Sequence, residues 1–391
     1  MLMVMTRTVG ITASGIFSIA YATGNLFMNV GNYGVRNYQI SDLSEENTFF
    51  DYFKHRLVTI GIMLLLSALY CLYGLEWGGY SNEKASVVFL TCALKALDAF
   101  EEVFEGRLQQ KGRLDCSGKM MTGRILFVLC GMMLTLIIGG TLLQSVIVAN
   151  LCEIVAIVFL IIINWSIIDF GRTSHGVKAI KHLMIACFPV CIANLLSFYL
   201  TNAPKYAIDG VMDETAQAKY NFIAMPVFVI QLMNMFIYQP VLVKMAITWK
   251  ADDFRSFKRY FWKIMLSLAA ISAVVLTAAW FFGIQVLSIL YATNLADLKK
   301  EFMIIMISSI FLALTGFYNS ILTIMRHQNA IPLVYIVGSI LSVFLTNAMV
   351  YQEGIYGAVS AYLIIMLLLS AVLLIIYEVF LHRAMKYNIN H

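Results

Sequence analysis

Between Lys95 and Arg107 the chain reads KALDAFEEVFEGR, placing six charged side chains inside an otherwise apolar run. At helical spacing Lys95, Asp98, Glu102 and Glu105 share one stripe, with Glu101 at its edge. Unpaired charge that deep in hydrocarbon costs several kcal/mol, so either Lys95 pairs with Asp98 one turn on while Glu105 and Arg107 reach the headgroup zone, or the stripe lines a water-filled cavity. A second such place is Leu195 to Asp209, LLSFYLTNAPKYAID, where Asn202 and Lys205 close a long apolar run. Arg36 and Arg124 stand near the ends of two further apolar segments, and Glu153 is the lone acid of a third. Each Arg reads either as an anchor snorkelling to headgroups or as a donor to an anionic solute, whose phosphate oxygens a guanidinium meets two at a time. Glu153 reads either as a partner for a neighbouring helix or as a site for a coupling proton or ion. Asn194, Asn221, Asn319 and Asn347 suit interhelical bonds or a sugar-lined path.

The elements that carry these groups are membrane helices. With 61% hydrophobic and 13% charged residues over 391 positions, the chain lacks the charge that a water-soluble surface requires. A spanning helix takes about 20 mostly apolar residues. Eleven full spans are expected, near 14–34, 57–77, 85–108, 119–142, 144–166, 179–203, 218–243, 259–282, 300–324, 331–351 and 355–381. Gly283 to Asn294 is expected to form a short interfacial or re-entrant piece, and Met1 to Gly10 holds too few residues to cross. Of the 27 Lys and Arg, twenty fall on one set of alternate connections and six on the other, with Lys95 inside a span. The richer set is cytoplasmic by the positive-inside rule, which puts Asn202 to Asp209 at the outer end of its helix.

A weak repeat relates the two halves. Gly15-Ile-Phe-Ser-Ile-Ala20 lies over Lys219-Tyr-Asn-Phe-Ile-Ala224, which sets Arg7 opposite Lys205, and Ala99-Phe100 lies over Gly316-Phe317. Two pseudo-symmetric six-helix lobes, 1–175 and 176–391, follow as the expectation, the first lacking most of its leading helix. An all-α, polytopic membrane fold is therefore expected.

Other chemistry finds little support. The seven cysteines form no CxxC and mostly lie in apolar runs, and the six histidines show no ligand-like clustering, so no metal or cofactor is expected. The net charge of +5 gives nucleic acid no special hold. No nucleophile elbow and no phosphate-cradling glycine loop is present, so ATP bound to this chain powers nothing and no catalysis is expected.

Gly15-Ile-Phe-Ser-Ile-Ala20, Val35-Arg-Asn-Tyr-Gln39 with Ser41-Asp42, Lys54-His-Arg-Leu-Val58, the stretch Leu94 to Arg113 and Asn202-Ala-Pro-Lys-Tyr-Ala-Ile208 together resemble the bacterial polysaccharide flippases. Those belong to the multidrug/oligosaccharidyl-lipid/polysaccharide exporter superfamily. The resemblance implies two lobes around a central cavity that opens alternately to each side of the bacterial inner membrane. It also implies a cargo, an undecaprenyl-pyrophosphate-linked oligosaccharide carried outward for capsule, O-antigen or exopolysaccharide assembly. Glycan polymerase and glycosyltransferases are the implied partners, with membrane lipids around them. Arg7, Arg36, Arg56 and Arg124 match basic positions of that family, and Lys205 matches a position where Arg is commoner. The expected cargo contacts are thus Arg7, Arg36, Lys95, Arg124, Asn202 and Lys205, and the expected ion-coupling acids are Asp98, Glu102 and Glu153. Two other functions fit the same sequence: a cation-driven multidrug exporter of this fold, and a membrane glycan polymerase or ligase.

Overall fold

A computed structural model describes residues 1–42, 46–168 and 175–389, with the side chains at 229, 232–237, 328 and 387–389 outside the description. The described residues form helices joined by short turns, without strands. In order these are α1 Leu2–Thr8, α2 Ile11–Asn32, α3 Val35–Ser41, α4 Phe49–Glu76, α5 Asn82–Gln110, α6 Leu114–Ile137, α7 Leu142–Ile168 and α8 Val177–Val211. There follow α9 Glu214–Lys250, α10 Phe254–Ala278, α11 Ile284–Tyr291, α12 Lys299–Ile324 and α13 Ile331–Ile389.

Among the described residues, eight helical stretches are long and apolar enough to cross a membrane. One of them, Ile331–Lys386, contains two passes, because Gly354 leaves helical geometry at φ 59 and ψ −131. The long helices α5 and α9 are not among the eight, and with them the expected eleven are reached. In α5 the six charges between Lys95 and Arg107 depress the hydropathy, although the helix is 29 residues long.

One expected element is absent. Gly283 to Asn294 does not form a separate piece: α10 continues through a π turn at Ala279–Gly283 into α11, which stops at Ala292 in left-handed conformation (φ 50). The stretch carries no proline and no charge, so keeping its backbone bonds within the helix is the cheapest solution at membrane depth. The expected lead helix is represented by α1, seven residues long.

The chain packs as two units, Met1–Tyr199 and Leu200–His391. The division falls inside α8, past the 175/176 boundary expected from sequence. In the first unit an aromatic core joins Phe49, Phe53, Phe100 and Phe104 of α4 and α5, with Phe49 and Phe104 ring centroids 5.5 Å apart. Between α2 and α3, Tyr33 and Gly34 both adopt positive φ (52 and 69). A side chain at Gly34 would be strained and would also meet Val190 Cγ1 at 2.6 Å, so glycine lets the turn press against α8. In the second unit Phe261, Phe317, Tyr318 and Tyr377 of α10, α12 and α13 form the core, Phe261 and Tyr377 stacking at 4.6 Å.

Candidate functional site

Helix α5 is the electrostatic axis of the first unit. The acids Asp98, Glu101, Glu102 and Glu105 each meet a cation, and between them they reach α3, α4 and α6. Glu105 Oε2 accepts from Arg36 Nη1 of α3 at 2.9 Å, and Arg36 Nη2 also donates to Gln109 Oε1 at 3.4 Å. Glu102 Oε2 accepts from Arg56 Nη2 of α4 at 2.8 Å. The Arg56 side chain is 1% exposed, and its Nη1 donates to the Gly31 carbonyl at 2.7 Å and to Asn32 Oδ1 at 3.2 Å. One guanidinium thereby joins α2, α4 and α5.

Deeper along α5 lies the densest cluster. Arg124 of α6 pairs with three carboxylates, Asp98 and Glu101 of α5 and Glu153 of α7. The Arg124, Glu101 and Glu153 side chains are 8%, 0% and 2% exposed. Lys95 Nζ donates to Asp98 Oδ2 at 2.7 Å and sits 4.6 Å over the ring of Tyr21 from α2. Two cations thus face three anions on three helices. Charges this buried persist only because they are paired, since a lone ion in such surroundings costs several kcal/mol.

At the start of α4 a second arrangement pins the helix. Thr48 caps the helix in a box with Asp51, whose buried carboxylate accepts from the Thr48 amide and hydroxyl, each at 2.9 Å. The same carboxylate accepts from the His175 backbone amide and ring Nδ1, both at 2.8 Å. In the adjoining loop burial raises the Asp42 carboxyl. Donation by the Asn47 and Glu46 amides and the Tyr52 hydroxyl outweighs that and holds it below its ordinary value.

The residues expected from sequence therefore fall into three groups. Lys95, Asp98, Arg124 and Glu153 come together, joined by Glu101, which sequence left at the margin of the stripe. Arg36 and Glu102 take part in separate pairs, with Glu105 and Arg56. Arg7 is exposed in the last turn of α1. The remaining two, Asn202 and Lys205, sit three residues apart on α8 in the second unit, Asn202 buried and Lys205 half-buried. Lys205 has no acidic partner among the described residues. Of the two readings open for Lys95 to Glu105, the structure shows the paired one as interhelical and intrahelical ion pairs, and Arg36 and Arg124 each have carboxylate partners. The signal for these pairings was present: every acid on the stripe needed a cation, and α3, α4 and α6 supply Arg36, Arg56 and Arg124.

The fold is that of the transporters of the MOP superfamily. The inward-closed lipid II flippase MurJ superposes with a TM-score of 0.75 at 13% identity, covering 96% of this chain and 84% of that one. The inward-facing form of a multidrug resistance MATE family transporter gives 0.70 at 11% identity, covering 98% and 94%. A MOP superfamily transporter from Pyrococcus furiosus Vc1 gives 0.59 at 11% identity, covering 98% and 91%. No curated protein matches the chain. A family model described as polysaccharide biosynthesis protein matches residues 1–246, and the chain belongs to that family.

Proposed function

We propose that the protein is a flippase that moves an undecaprenyl-pyrophosphate-linked oligosaccharide from the inner to the outer leaflet of a bacterial inner membrane, for capsule, O-antigen or exopolysaccharide assembly. The family supports a polysaccharide role, and the fold it shares with a lipid II flippase supports movement of a lipid-linked cargo. The observation that carries the reading is a contrast among the cations. Arg36, Arg56, Lys95 and Arg124 are matched by carboxylates of α5 and α7, whereas Lys205, on an apolar helix, has no acidic partner among the described residues. A cation without a counter-ion at the end of an apolar membrane helix favours an anionic headgroup as the ion that completes it. Asn202, one turn earlier on α8, adds an amide suited to a sugar or phosphate oxygen.

In this mechanism no bond is made or broken. Lys205 screens the pyrophosphate during passage while the prenyl tail stays in lipid, and the paired charges of the first unit hold its helices in register. Asp98, Glu101 and Glu153 around Arg124 and Lys95 form the proposed coupling group, since three acids facing two bases leave one negative charge for a proton to neutralise. The test is reconstitution with a fluorescent lipid-linked oligosaccharide and a leaflet-specific quencher. Lys205→Ala should lose transfer at unchanged protein level, and Lys205→Arg should retain it. Full transfer by Lys205→Ala refutes the role of Lys205. Drug efflux without glycolipid transfer would instead establish the exporter alternative, and glycan growth by the purified protein would establish the polymerase.

A further inference from the structure

The α9–α10 hairpin carries a charge pattern that cargo movement does not use. Lys244, Lys250, Arg255, Lys258, Arg259 and Lys263 fall within twenty residues, against Asp252 and Asp253 alone. None of the six cations makes a salt bridge among the described residues, Arg255 and Arg259 feeling only the more distant charge of Asp253, and all but Lys258 are exposed, Lys258 being half-buried. Asp253 is committed to capping α10, its Oδ1 accepting from the Ser256 amide at 3.0 Å. This is the reverse of the first unit, where the interior cations are neutralised from within.

Geometry sharpens the contrast. Helix α10 buries Phe257, Phe261, Ile264 and Leu268 along one side. Arg255, Arg259 and Lys263 recur every four residues on the opposite side, in a column leading up from the turn at Ala251. Continuing that outward face toward the membrane are Trp262 and Leu266, 65% and 73% exposed. On α9, Val243 and Ile247, each 64% exposed, lie on either side of Lys244, with Lys250 beyond them. Cations at the rim with large apolar side chains directly behind them complement an amphiphile whose head is anionic and whose tail is hydrocarbon. By the positive-inside count this rim faces the cytoplasm.

We infer that the α9–α10 hairpin is a docking site for anionic phospholipid of the cytoplasmic leaflet. Arg255, Arg259 and Lys263 hold the headgroup phosphate, Lys244 and Lys250 flank it, and the acyl chains lie along Trp262 and Leu266. A column of three cations exceeds what a single snorkelling anchor requires, and juxtamembrane groups of four to eight Lys and Arg are the usual mark of anionic-lipid binding.

The experiment measures lipid retained by the purified full chain. The protein is placed in nanodiscs of phosphatidylcholine alone or mixed with phosphatidylglycerol, and bound lipid is read by native mass spectrometry and by exchange of a labelled phosphatidylglycerol. Each cation at an anionic surface contributes about fivefold in affinity, so Arg255→Gln/Arg259→Gln/Lys263→Gln should weaken phosphatidylglycerol retention roughly a hundredfold. A variant losing the same charge elsewhere on the cytoplasmic side, Lys54→Gln/Lys178→Gln/Lys181→Gln, should keep it within about threefold of the parent. The charge-retaining Arg255→Lys/Arg259→Lys should also bind, which separates lost binding from lost folding. Equal losses in the two neutralised variants overturn the site and leave general surface charge as the explanation. Displacement of the lipid by inorganic phosphate at matched charge overturns it too, by assigning the cations to a free anion.

Discussion

Removing the guanidinium of Arg124 tests whether the buried cluster is structural. In Arg124→Gln the carboxylates of Asp98, Glu101 and Glu153 lose their shared partner, and only Asp98 keeps another, Lys95 at 2.7 Å. Breaking a buried ion pair by deleting one member costs about 3–5 kcal/mol, because the remaining charge is left uncompensated. Glu101 and Glu153 are both orphaned here, which places the variant toward the upper end. For a unit of this size about 2–4 °C follow each kcal/mol, so the first unit should melt roughly 6–20 °C lower. Arg124→Lys keeps the charge but offers one ammonium in place of a fork that reaches α5 and α7 together, and should fall between parent and glutamine variant. The assay is thermal unfolding in detergent followed by tryptophan fluorescence, with Arg124→Gln/Glu153→Gln as the second arm. Neutralising Glu153 removes one orphan, so the double variant should recover a measurable part of the loss. A single variant melting within about 2 °C of the parent, or a double variant no better than the single, would refute the structural role and return Arg124 to the cargo.

Two further expectations concern the start of α4 and the loop before it. Asp42 is held below its ordinary value, so its stabilisation is complete above the unfolded carboxylate value of about 3.9 and is lost as pH falls through the lower folded value. Asp42→Asn should therefore lower the melting midpoint near neutrality and converge on the parent in acid, and a constant offset across pH would contradict the assignment. Asp51→Ala removes both the α4 cap and the two contacts to His175, at a cost of about 2–4 kcal/mol, while Thr48→Ala removes the cap side chain alone at about 1 kcal/mol. Equal melting shifts for the two would show that the His175 contacts add no stability.

The membrane class was legible in the chain because lipid leaves few choices: long apolar runs must become helices, and the eleven expected spans all coincide with helical segments. The acidic stripe was equally legible, since the positions of Asp98, Glu102 and Glu105 on one face follow from helical spacing alone. The loose motifs led to the family, which the match over residues 1–246 establishes. Two things could not be read in this way. One was continuity at the end of α10, where a π turn carries the helix past Gly283, because the backbone bonds that decide this are local and leave no periodic mark. The other was the fate of the cations. Arg36 and Arg124 look like Lys205 in sequence, each a basic residue at the edge of an apolar run. Arg36 meets Glu105 across 69 positions and Arg124 meets Glu153 across 29, while Lys205 meets no acid among the described residues. A charge buried in a membrane protein takes its role from the helix packed against it, and which helix that is depends on tertiary contacts that hydropathy does not encode.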